Sequence, residues 1–130
     1  MKDFSLSNVN LIPNPPRSLY ESLVSTSSIL LHTTFHEPFS ISVVEAMSAG
    51  LVPVVHRSGG PWEDILDKMQ DIYGYSYAHI DEAIDIIEKL LHRNTALEVS
   101  KRARDRAFTF SEERFRCRLH KAVSDLLASG

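Results

Sequence analysis

Residues 36–66 read HEPFSISVVEAMSAGLVPVVHRSGGPWEDIL. Glu37 and Glu45 stand eight positions apart, with a mostly apolar stretch between them. Ser48-Ala49-Gly50 interrupts that stretch, the run LVPVV follows at 51–55, and Gly59-Gly60-Pro61 comes after it. Ile41–Ala49 has the pattern of a helix, and Gly50 stands where a helix end favours a left-handed residue. Leu51–Val55 is apolar without alternation, as in a strand covered on both faces. A loop, a helix and a doubly covered strand in this order form one unit of a parallel α/β sheet.

The flanking sequence extends the alternation. Upstream, Val9–Ile12 reads as a short strand ended by Pro13, Pro15 and Pro16. Arg17–Ser25 reads as a helix with Leu19, Leu23 and Val24 on one face, and Ile29–Thr33 as a second strand. Downstream, Gly59-Gly60-Pro61 marks a turn and Tyr73–Tyr77 a weaker strand. Ile80–His92, Ala96–Ala107 and Glu112–Leu127 read as helices. Strand, helix, strand, helix, strand predicts an α/β fold with a parallel sheet.

Composition narrows the function classes. The chain has 130 residues, enough for one domain, with 43% hydrophobic and 24% charged residues. These shares are ordinary for a globular protein. A formal net charge of −3 gives no basic footprint for nucleic acid. The single cysteine, Cys117, forms no internal disulfide framework and points to a reducing, cytoplasmic compartment. No apolar run approaches the roughly 20 residues of a membrane span, and MKDFSLSNVNLIPN lacks the apolar centre of a secretion signal.

In open parallel sheets, ligands bind outside the carboxyl ends of the strands. Residues 34–42 form the loop after Ile29–Thr33 and the first turn of the next helix. A helix start presents free backbone N–H groups and the positive end of the dipole, a seat for phosphate. Glu37, in the loop, can reach a neutral polar group beyond the phosphate. Glu45, a turn inside the helix, can accept two hydrogen bonds at once, which suits a vicinal diol such as ribose. The constellation suits a ligand made of sugar, diphosphate and ribose.

Glu37-Pro38-Phe39-Ser40-Ile41-Ser42-Val43-Val44-Glu45-Ala46-Met47 resembles the paired-glutamate signature of glycosyltransferase family 4, retaining enzymes of the GT-B fold. Ile41-Ser42-Val43-Val44-Glu45, His56-Arg57-Ser58-Gly59-Gly60-Pro61 and Phe110-Ser111-Glu112-Glu113-Arg114-Phe115 are similar to the dolichol-linked oligosaccharide alpha-1,2-mannosyltransferases, which use GDP-mannose. The resemblance implies a truncated Rossmann-like sheet with flanking helices, the donor-binding part of a GT-B C-terminal domain. It implies that Glu37 hydrogen-bonds the transferred hexose in catalysis, that backbone from Phe39 and Ser40 to Ile41 and Ser42 holds sugar and diphosphate, and that Glu45 holds the ribose. Asn14 and Leu19 would lie near the nucleobase. No metal and no cofactor beyond the nucleotide sugar is implied, nor any enzyme nucleophile, because the chemistry is a front-face displacement. Ser40 stands where the family commonly has glycine, and a side chain there bears on donor contact.

The resemblance also carries expectations about partners. The acceptor domain and the first strands of the donor domain have no counterpart in the 130 residues. Read this way, the chain transfers no sugar unaided, and an N-terminal half would come from a separate chain. The Rossmann order 3-2-1-4-5-6 makes Val9–Ile12 the third strand and Ile29–Thr33 the fourth, normally separated by others. The exposed edge of Ile29–Thr33 is then expected to pair with Val9–Ile12, or to be hidden in a homodimer. Ile29–Thr33, Leu51–Val55 and Tyr73–Tyr77 are expected side by side. The Lys101–Arg106 cluster admits peripheral contact with anionic lipid at the cytoplasmic face of a membrane.

Plainer readings compete. Ser42-Val43-Val44-Glu45 matches a capping box, in which Glu45 serves only the helix. Glu37 alone would be a solvated loop acid, and Gly59-Gly60-Pro61 alone a turn. His32, His36 and Glu37 suggest a metal cluster, but their spacing lies on a strand end and a loop rather than one helix face. His56 reads as structural, and Lys101–Arg106 as a solvated helix face. Two other functional classes stay open: a glycosidase using the two carboxylates at one bond, and a non-catalytic module that binds a nucleotide sugar or a partner.

Overall fold

The computed structural model describes residues 7–92 and 95–129. Its elements in chain order are α1 (Arg17–Thr26), β1 (Ile29–His32), α2 (Ile41–Ser48), β2 (Val52–His56), a π-helical turn (Pro61–Ile65), β3 (Tyr75–Tyr77), α3 (Ile80–His92), α4 (Thr95–Phe108) and α5 (Glu112–Ala128). The sheet has three parallel strands in the order β1-β2-β3. This is the expected order, and the architecture is a Rossmann-like α/β layer with helices against the sheet.

The sequence explains why β2 is central. Val52, Pro53, Val54 and Val55 are all buried. A proline inside a central strand normally removes a ladder hydrogen bond. Here the Val52 N–H donates to Ser28 O at 2.9 Å, on the β1 side. Alternation along the strand turns the Pro53 nitrogen toward β3, whose pairing begins one residue later at Val54↔Tyr75. Gly74 fills that corner. A Cβ on it would fall 2.5 Å from Pro53 Cγ and 2.6 Å from Pro53 O.

The two faces of β2 organise two apolar clusters. Val55 packs with Val43 and Met47 of α2, Ile65 and Leu66, and Ala103 and Ala107 of α4. Val52 and Val54 pack with Tyr77, Ala83 and Leu90 of α3, and Val99 of α4. Helix α2 ends in a Schellman arrangement: Leu51 N–H donates to Ala46 O, Gly50 N–H donates to Met47 O, and Gly50 takes a φ of 92°. Its buried Leu51 carries the chain directly into β2.

The expected strand Val9–Ile12 is not formed. Residues 9–12 have no regular structure, Val9, Leu11 and Ile12 are exposed, and β1 pairs with β2 alone among the described strands. Four residues with no apolar surface to bury gain little to offset the backbone entropy of ordering. Helices α1 and α5 contain no buried residue.

Candidate functional site

The three strands end on the same side of the sheet at His32, His56 and Tyr77. The Tyr77 hydroxyl donates to His32 O at 2.9 Å, which ties the end of β3 across to the end of β1. The His56 ring packs on Phe35, with centroids 4.0 Å apart, and edge-on to Tyr77, while its Nδ1 lies 2.7 Å from Ser58 Oγ. Ser58 Oγ also accepts from His36 N–H at 2.9 Å. These contacts make His56 part of the floor beneath the 34–40 loop.

That floor fixes the backbone of Glu37. Gly60 N–H donates to Glu37 O at 2.7 Å. A Cβ on Gly59 would collide with the Glu37 backbone, and one on Gly60 with the Pro38 carbonyl. The paired glycines do more than turn the chain. They allow it to pass against the loop that carries the acid.

Above this floor the Glu37 carboxylate meets His32. Glu37 Oε2 stands 2.8 Å from His32 Nε2. The approach lies off the line of a hydrogen bond, so Oε2 is buried without a hydrogen-bond partner, as is His32 Nδ1. Most buried polar atoms are satisfied, and the imidazole nitrogen at 2.8 Å is the one protein group placed to satisfy this oxygen among the described residues.

Helix α2 begins beside this pair. Its N-cap is Ser40, almost fully buried, whose Oγ accepts from Val43 N–H at 3.3 Å and lies 2.9 Å from Ser42 Oγ. The capping box centred on Ser42 is thus corrected: Ser40 caps the helix, and Glu45 is not engaged in capping. Among the described residues, the N–H groups of Phe39, Ser40, Ile41 and Ser42 donate to no protein acceptor. Four backbone donors at the positive end of a helix form an electrostatic seat for an anion.

Glu45 lies on α2 facing α1. Arg17 Nη2 donates to Glu45 Oε1 at 3.3 Å and Nη1 to Oε2 at 3.5 Å, while Arg17 Nε donates to Glu21 at 2.9 Å. The hydrogen bond to Glu21 first, then those to Glu45, raise the Arg17 guanidinium above its ordinary value. Sequence reasoning missed Arg17. Its partner is 28 positions away, and only the folded chain brings α1 within side-chain reach of α2. Asn14 takes a left-handed φ of 48° ahead of α1, and Leu19 is partly exposed on α1. Neither lines the cavity between α1 and α2 that Arg17, Tyr20 and Glu45 share.

The basic cluster of α4 is the expected solvated face only in part: Lys101 and Arg104 are exposed, while Arg102 and Arg106 are half-buried. Arg102 donates to Ile72 O and Asp71 O, and Arg106 to Ile65 O and Asp64 O. Arg106 also stacks over Tyr73 and Phe110. These two guanidinium groups hold the 64–72 loop to α4. His36 does not join His32 and Glu37. It stands near His56 instead.

Residues 4–108 match the family model described as Glycosyl transferases group 1. The chain belongs to the group 1 glycosyl transferases. Among curated relatives of this glycosyltransferase chain is the GDP-Man:Man(3)GlcNAc(2)-PP-Dol alpha-1,2-mannosyltransferase of Dictyostelium discoideum, 38% identical over 81% of the chain and 21% of the relative. The human protein of the same description is 32% identical over 87% of the chain and 24% of its own length. The glycosyltransferase chain thus spans about a fifth to a quarter of these relatives. Its structure is similar to a sucrose-phosphate synthase from Thermosynechococcus elongatus, with a TM-score of 0.61 and 19% identity over 77% of the chain and 26% of that structure. That likeness is one of fold, a GT-B glycosyltransferase domain. Among the described residues, no helix is long and apolar enough to cross a membrane.

Proposed function

We propose that the loop 34–40, the start of α2 and Glu45 form the donor side of a retaining hexosyl transferase whose donor is GDP-mannose. The diphosphate sits over the free N–H groups of Phe39, Ser40, Ile41 and Ser42. The hexose hydroxyls bond to Glu37, and the ribose diol bonds to Glu45. Asn14 and Leu19, at the start of the α1 region, border the nucleobase.

The observation that carries this reading is the start of α2, with its unused backbone donors, beside the partly exposed carboxylate of Glu37. Backbone donors without an acceptor next to a partly exposed carboxylate match a ligand that is anionic at one end and hydroxylated at the other. The mannosyltransferase relatives favour GDP-mannose as that ligand. In the transfer step, negative charge grows on the leaving diphosphate. Pre-aimed backbone donors stabilise it without reorganising. Glu37 keeps the hexose oriented while its glycosidic bond to phosphate breaks.

Isothermal titration of the 130-residue chain with GDP-mannose, with GDP and with sugar nucleotides of other bases tests the reading. GDP-mannose is expected to bind most tightly. Glu45→Ala should lose a charge-assisted hydrogen bond of roughly 1.5–3 kcal/mol. Equal affinity of Glu45→Ala and the unsubstituted chain for GDP-mannose would refute the role of Glu45.

A further inference from the structure

His32 is a largely buried imidazole with two nitrogens and, so far, no task. It ends β1, and its carbonyl is held by Tyr77, so the ring is mounted on the sheet rather than on a loop. Its side chain is 10% exposed, against 29% for Glu37. The backbone of Glu37 is fixed by Gly60 N–H, and that of the neighbouring His36 by Ser58 Oγ. What remains free in Glu37 is its side-chain torsions, and His32 is the group that limits them.

The chemistry of the contact fixes the proton. An ionised carboxylate is an acceptor only, and a bare imidazole nitrogen is also an acceptor. Two acceptors 2.8 Å apart, away from water, repel each other. Nε2 must therefore carry hydrogen. The competing arrangement has Nε2 accepting from Ser40 Oγ, which lies at 3.4 Å. Ser40 Oγ is already 2.9 Å from Ser42 Oγ and accepts from Val43 N–H, so it is the more distant and the more occupied partner.

We infer that His32 is the positioning residue of Glu37: an N–H at Nε2 steers Oε2 inward and leaves the exposed part of the carboxylate turned toward the sugar. The identity of what Glu37 meets rests on the donor reading above, but the pairing itself does not. A modest rotation of the carboxylate when a sugar hydroxyl arrives would bring the His32 contact into line.

Two measurements on the 130-residue chain test this. Long-range proton–nitrogen correlation spectra of the histidine rings identify which nitrogen of His32 carries hydrogen. The expected result is hydrogen on Nε2, with its resonance displaced in Glu37→Gln. A bare Nε2 with hydrogen on Nδ1 alone would overturn the inference. The second measurement is the ratio of GDP-mannose to GDP affinity. His32→Leu should shrink it roughly tenfold, the worth of one hydrogen bond to a charged group, and leave GDP affinity within about twofold. His32→Gln, which keeps an N–H near the same point, should restore the ratio. A ratio unchanged in His32→Leu, or GDP and GDP-mannose weakened alike, would reduce His32 to a packing residue and overturn the inference. If the unsubstituted chain itself does not prefer GDP-mannose to GDP, the donor reading fails. The ring spectra then decide the pairing alone.

Discussion

Gly60 N–H donates to Glu37 O at 2.7 Å, so the turn after β2 holds the loop after β1 by one backbone bond. The approach is so close that the Pro38 carbonyl occupies the space a Gly60 Cβ would need. Gly60 has a φ of −59° and is conformationally ordinary. Its requirement is space. Gly60→Ala should therefore act as an overpacking substitution, costing about 1–3 kcal/mol. Urea unfolding would measure the loss, and the GDP-mannose affinity of the folded fraction should fall with the displaced loop. Unchanged stability would mean that the two loops do not touch as described.

Ser40 presents the opposite case. Glycine is common at this position in the family the sequence resembles, and Ser40 was expected to bear on donor contact. Its side chain instead turns inward and caps α2. Ser40→Ala should lose about 1 kcal/mol of stability, and Ser40→Gly only a few tenths. Thermal unfolding of the two variants checks the order. Donor affinity in Ser40→Gly should match that of the native chain, because the hydroxyl is turned inward onto Val43 N–H and Ser42 Oγ.

Arg17 occupies both oxygens of Glu45 through an exposed contact. Exposed pairs contribute little to stability, so the melting temperature of Arg17→Ala should equal that of the native chain. A ribose diol has to share or displace the guanidinium. Calorimetry should therefore find tighter GDP binding in Arg17→Ala. Weaker binding would show that Arg17 itself contacts the nucleotide.

Burial pushes the Tyr77 hydroxyl above its ordinary value. Tyr75 is raised as well, by burial first and by Asp71 second, with Arg102 opposing. A phenol raised on folding holds its proton more tightly in the folded chain. Its contribution is complete below the unfolded value of about 10 and is lost as pH climbs through the folded value. Stability should thus fall in alkali from about pH 10 upward, until the folded value is passed. Tyr77→Phe should flatten part of the slope. It should also cost about 1 kcal/mol at neutral pH, because His32 O loses its donor. Chemical unfolding at several pH values measures both effects.

The legible parts of the fold were those fixed by local apolar pattern. The run 51–55 announced a strand covered on both faces, and β2 is that strand. Gly50 announced the end of α2, and the left-handed turn is there. Val9–Ile12 failed for a reason no four-residue pattern reveals. Its side chains find nothing to pack on, and a strand at an edge needs that packing more than it needs propensity. In the candidate site, Glu37 and Glu45 stood out by spacing, but the side chains they contact, His32 and Arg17, did not. The His32 contact depends on how the loop folds back over the strand end, and the Arg17 contact on where the fold places α1 relative to α2. Arg102 and Arg106 misled for the same reason. A basic helix face looks solvated until a loop brings its carbonyl groups to it.

The central claim is that a nucleotide sugar lies with its diphosphate on the unused N–H groups at the start of α2, between Glu37 and Glu45. The most direct measurement is a titration of the nitrogen-labelled chain with GDP-mannose, followed by amide resonances. The account predicts that the signals of Phe39, Ser40, Ile41 and Ser42 move furthest and share one saturation curve. The claim would be contradicted if those four signals stayed fixed while the ligand bound and amides elsewhere in the chain moved.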